Sequence, residues 1–108
     1  MEDRERDSGM IAIDDEKLEK IIKTYGSKAQ ISKAVEELIE LAEVLIKDVN
    51  KGICDHWELL EELADVEIML KQLRIIYKVD DTELQGYIND KTNRTIERIE
   101  KESDCQWK

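Results

Sequence analysis

Residues 27–76 read SKAQISKAVEELIELAEVLIKDVNKGICDHWELLEELADVEIMLKQLRII, and spacing alone traces two long helices through them. Ile31, Ala34, Val35, Leu38, Leu41, Ala42, Leu45 and Val49 recur at intervals of three and four, which predicts a helix with one apolar stripe, running to about Asn50. Ser27 followed by Gln30 reads as a capping box at its start. Gly52 breaks the pattern. Asp55 with Glu58 then signals a second start, after which Leu59, Leu63, Val66, Met69, Leu70, Leu73 and Ile76 carry the period to near Val79. The connection, Lys51 to Cys54, is short enough to predict an antiparallel hairpin. Ile39, Ile46, Ala64, Ile68 and Ile75 lie off the stripes, so both helices are apolar around more of their circumference than a surface helix needs. That places them centrally and at a subunit interface.

Upstream, Asp14 or Asp15 reads as the N-cap of a short helix through Leu18, Ile21, Ile22 and Tyr25, which Gly26 stops. Downstream, Asp80 with Glu83 opens another helix, with Leu84, Ile88, Ile96 and Ile99 as its apolar positions. Gly86 inside it implies either a later start or a close packing contact, because an interior glycine costs about 1 kcal/mol relative to alanine. Residues 1–10, MEDRERDSGM, offer nothing to bury and read as a disordered tail ahead of one domain over 11–108. The expected fold is all-α: a four-helix, bundle-like domain around a central antiparallel hairpin, and oligomeric, since a lone domain of 108 residues buries a modest core.

Composition agrees with helices and narrows the partners. There is no proline and there are only 4 glycines, which leaves little turn chemistry for a β fold. A net charge of −10, from 27 acidic and 17 basic residues, argues against a nucleic-acid partner. Cys54, Cys105 and the single His56 lack the spacing of a zinc site or a disulfide framework, so any metal must sit on oxygen. The charged start reads as no signal peptide, and no stretch approaches the roughly 18 apolar residues of a membrane span. A cytoplasmic protein without a membrane partner is the expectation. Tyr25, Trp57, Tyr77 and Tyr87 could stack on a base, but aromatics at helical spacing are expected in the core.

The chemistry concentrates in carboxylates. Glu36, Glu37, Glu40 and Glu43 mark the first long helix, and Glu61, Glu62, Asp65 and Glu67 the second. Glu37 with Glu40, and Glu62 with Asp65, are three apart, so each pair projects from one side of its helix. Taking residues equally far from the turn as neighbours, Glu40 falls opposite Asp65 and Glu37 opposite Ile68. Like charges so arranged repel within and between helices unless a cation neutralises them. Four carboxylates suit a hard ion, magnesium first and manganese as its substitute, and magnesium commonly bridges carboxylates to substrate phosphates. The plain alternative is a solvated acidic face on a good helix former.

KAVEELIEL (Lys33 to Leu41) and LEELADVEIML (Leu60 to Leu70) resemble the E-x-x-E and E-x-x-D helices of the MazG-like nucleoside triphosphate pyrophosphohydrolases. Tyr25-Gly26 and Gln30 look like the segment that precedes the first motif, and NDKTNRTIERI (Asn89 to Ile99) looks like the family's N-x-K-x-x-R helix. The resemblance spans about residues 20 to 100. It implies that Glu37, Glu40, Glu62 and Asp65 ligate magnesium, and that Lys91 and Arg94, with Asn89 nearby, contact the triphosphate. Glu36, Glu43 and Glu61 are candidates for a general base or for support of a ligating carboxylate, and Gln30 and Tyr25 for contact with the base. The implied reaction is metal-assisted attack of water on the α-phosphorus with pyrophosphate leaving, in a homodimer or homotetramer whose last helix closes over the site. Without the resemblance, Lys91, Arg94 and Arg98 read as surface partners of Asp90, Glu97 and Glu102. The competing class is a non-catalytic helical protein-interaction module.

Overall fold

The computed structural model describes residues 11–106, and side chains through Glu102, so the expectation of a disordered tail over 1–10 lies outside the described residues. Four helices and no strand are present among them: α1 (Asp15–Tyr25), α2 (Ser27–Lys51), α3 (His56–Ile76) and α4 (Asp81–Gln106). The chain divides into two compact units, Met1–Tyr77 and Lys78–Lys108.

In the first unit α1, α2 and α3 pack against one another, α2 with α3 most extensively. Asp14 caps α1, its Oδ1 accepting from the amides of Glu16 (3.0 Å) and Lys17 (3.4 Å). Asp55 does the same for α3 through Trp57 (2.9 Å) and Glu58 (3.3 Å). The capping box expected at Ser27 does not form. Ser27 already lies inside α2, and Gly26 is the capping residue at φ 95°, ψ 149°, with no side chain to contribute. Its amide donates to Ile22 to close α1 (2.7 Å) while its carbonyl accepts from Gln30 to open α2 (3.1 Å). A positive φ at this joint is open to glycine at little cost.

The buried apolar set of Leu18, Ala34, Val44, Val66 and Met69 is small. On α3 it follows the expected stripe through Val66 and Met69, although Leu63 and Leu70 are exposed. On α2 the expectation fails in part: the inward line is Gln30, Ala34, Glu37 and Val44, whereas Val35, Leu38, Leu45 and Val49 are exposed. The packed face is rotated from the apolar stripe because it includes two polar residues that an apolar pattern cannot register. The Lys71 ammonium reaches Asp15 at 3.5 Å and ties α3 to α1.

In the second unit α4 begins at Asp81, where the Asp80 carboxylate accepts from the Thr82 amide at 2.9 Å. Gly86 therefore marks no late start, and a Cβ placed on it meets nothing within 4 Å, so neither sequence explanation for this glycine holds. No described helix is long and apolar enough to cross a membrane.

Candidate metal centre

Glu37 and Glu40 on α2 and Glu62 on α3 each offer a carboxylate oxygen, and these three atoms lie within 4.8 Å of one another. Glu37 is buried, Glu62 half-buried and Glu40 exposed, so the group opens to solvent on one side. Asp65 stands outside this trio. Its carboxyl lies within hydrogen-bonding reach of Glu37. Glu37 thus neighbours Asp65, and Glu40 neighbours Glu62, which corrects the register expected from equal distances to the turn. Ile53 to Asp55 belong to neither helix. Counting equal helical steps on the two sides of the turn ignores these non-helical residues, and facing positions arrive some three residues sooner on α3.

The electrostatics follow from this crowding. The Lys33 ammonium sits 3.1 Å from Glu37 Oε2, one turn earlier on α2, and holds the Glu37 carboxyl below the usual carboxylate range despite its burial. Lys33 is raised in turn, first by that hydrogen bond. Glu40 is raised by its hydrogen bond to, and the charge of, Glu37. Glu62 and Asp65 are raised by desolvation and then by the Glu37 charge, with Glu61 adding to both and Glu58 to Glu62. Glu37, Glu40 and Asp65 therefore share the Lys33 ammonium, with Glu62 crowded against the same charges. Of the two Glu37 oxygens, Oε2 faces Lys33, while Oε1 is buried with no hydrogen-bond partner among the described residues. An all-oxygen donor set, three converging ligand atoms and an orphaned buried carboxylate oxygen fit a hard divalent cation.

Beside the carboxylates lies a cleft of about 520 Å³. Glu36, Glu37 and Asp65 line it together with Tyr25, Gln30 and Lys33, as do Ser32, Gln72 and several apolar side chains. The candidates Tyr25 and Gln30 therefore share a cleft with Glu37. Glu61 is exposed and contributes charge only, and Glu43 is exposed with no part in the group. Lys91 and Arg94 are exposed on α4, and Asn89 Oδ1 accepts from Gln85 Nε2 at 3.0 Å within that helix.

Trp57, Tyr77, Tyr87 and Tyr25 are all exposed, contrary to the expectation of core aromatics. Tyr25 and Tyr77 sit at helix ends and Trp57 in a first turn, where it meets His56 edge to face at a ring separation of 5.3 Å. Lys33 and Gln72 went unread in the sequence, although both carried a signal: Lys33 is four residues before Glu37, and Gln72 seven after Asp65, on the same helix faces. No family model matches the chain, and no curated protein or solved structure matches it.

Proposed function

We propose that this chain is a magnesium-dependent nucleoside triphosphate pyrophosphohydrolase of the cytoplasm, which cuts nucleoside or deoxynucleoside triphosphates to monophosphate and pyrophosphate in the service of nucleotide-pool housekeeping. The observation that carries this reading is the convergence of Glu37, Glu40 and Glu62 within 4.8 Å at the side of a cleft, with a buried Glu37 oxygen that has no hydrogen-bond partner among the described residues. A solvated acidic face does not bury a carboxylate among like charges.

On this reading α2 and α3 form an antiparallel hairpin, Glu37, Glu40 and Glu62 hold the ion, and Asp65 completes the set beside Glu37. A bound divalent ion supplies charge neutralisation and polarisation of phosphate oxygens. Lys33 keeps Glu37 ionised and ready to ligate. Glu36, which lines the cleft, is better placed than Glu43 to accept a proton from the attacking water. Lys91 and Arg94, with Asn89, are assigned the countercharge for the triphosphate by resemblance to the family's last helix. Loss of magnesium-dependent hydrolysis in Glu62→Gln and Asp65→Asn, with folding intact, supports the assignment; retained hydrolysis in both overturns it.

Exposed apolar residues motivate the rest. Leu38, Ile39 and Ile46 are 42%, 54% and 57% exposed on a helix that the chain otherwise packs. We assign this face to self-association as a dimer or tetramer, which sedimentation would show and a monomer at all concentrations would contradict. The same face favours the second reading, a helical protein-interaction module, in which the carboxylates bind no metal and no triphosphate is turned over.

A further inference from the structure

The cleft beside the carboxylates has two ends of different chemistry. Glu37 and Asp65 line one. Stepping seven residues back from Glu37 along α2 reaches Gln30, and stepping seven forward from Asp65 along α3 reaches Gln72. Both glutamines line the same cleft, and both are buried, Gln30 at 9% and Gln72 at 2% exposure. The two helices thus present an acidic layer and, about 10 Å farther along their axes at 1.5 Å per residue, an amide layer. Ile68 and Met69 wall the cleft between them.

Gln72 Oε1 has no hydrogen-bond partner among the described residues. A leucine there would fill similar volume without leaving a buried polar atom unpaired, which is costly in a folded chain. The unpaired oxygen therefore calls for a donor from a ligand. A mostly apolar cleft with a few convergent polar groups is the usual form of a small-molecule site. An amide offers an acceptor and a donor side by side, which matches a heterocycle edge bearing an adjacent donor and acceptor, and methionine beside it suits an aromatic face. The spacing of the two layers leaves room for a sugar between phosphates at the acidic end and a base at the amide end.

Resting on the pyrophosphohydrolase reading, we infer that Gln72, opposite Gln30, reads the edge of the substrate's nucleobase and is the residue that sets base specificity. It acts on recognition and holds no metal. The test is kcat/KM for a panel of ribo- and deoxynucleoside triphosphates with magnesium, for the wild type, Gln72→Leu and, as the less branched replacement should leucine disturb packing, Gln72→Met. The preferred nucleotide should lose about ten- to a hundredfold while the poorest loses little, so that the ranking flattens. A structural role would lower all nucleotides equally or none, and either result overturns the inference. Wild-type turnover with an unaltered ranking in the variants removes Gln72's role and leaves the reaction standing. No turnover of any triphosphate by the wild type removes both.

Discussion

Replacing Glu37 by glutamine separates a metal site from an acidic surface. Without magnesium the change removes a charge that raises Glu40, Glu62 and Asp65, and it breaks the 3.1 Å pair with Lys33. These effects oppose each other, and the Lys33 pair is half exposed and screened, so the metal-free melting temperature should move little. With magnesium at a hundred times its dissociation constant, the wild type should gain about 2.7 kcal/mol by mass action. In a domain of this size that is a rise of roughly 10 °C. Glu37→Gln surrenders the buried oxygen that has no other partner, and most of that rise should vanish. Calorimetry of both proteins, with magnesium and with chelator, reads the effect. An equal magnesium shift in the variant would refute the role given to Glu37, and no shift in either protein would favour the interaction module.

Three further outcomes follow from the structure. Glu40, Glu62 and Asp65 are raised when folded, so their ionisation destabilises the fold as pH climbs through those raised values; Glu37, held low, works the other way and loses its contribution only as pH falls through its lowered value. Three raised groups against one predict that the metal-free melting temperature declines as pH rises from the ordinary carboxylate range through the raised values of Glu40, Glu62 and Asp65, and that magnesium reverses the decline; a flat pH profile would contradict it. Leu18 is the one buried residue of α1, so Leu18→Ala should cost about 2 to 5 kcal/mol in denaturant unfolding and loosen the Tyr25 end of the cleft. Gly86→Ala meets open space in the interior of α4 and should raise helix stability by about 1 kcal/mol, measurable as increased helicity on heating.

The helices and most of their ends were legible because period and capping are local. Asp14 and Asp55 cap where their spacing says they should, and Gly26 and Gly52 stop the helices before them. The carboxylate pairs were legible for the same reason, since residues three apart share a helix face. What depends on tertiary placement was not. The inward line of α2 runs through Gln30 and Glu37, which apolar spacing leaves out, and the register between α2 and α3 depends on the path of the non-helical residues that join them. Gln72 is polar and so falls outside an apolar pattern, although its seven-residue offset from Asp65 puts it on the cleft face. Tyr25, Tyr77 and Trp57 were misjudged because helix ends and first turns expose side chains that the same spacing would bury in mid-helix; Tyr87 is exposed within α4 itself.

The most direct measurement is product identity. The full chain is incubated with a panel of ribo- and deoxynucleoside triphosphates, with and without magnesium, and the products are resolved by chromatography and phosphorus resonance. Monophosphate and pyrophosphate that form only with the metal are the expected result; diphosphate with orthophosphate would mean a different bond is cut, and no turnover of any nucleotide would contradict the proposed activity outright.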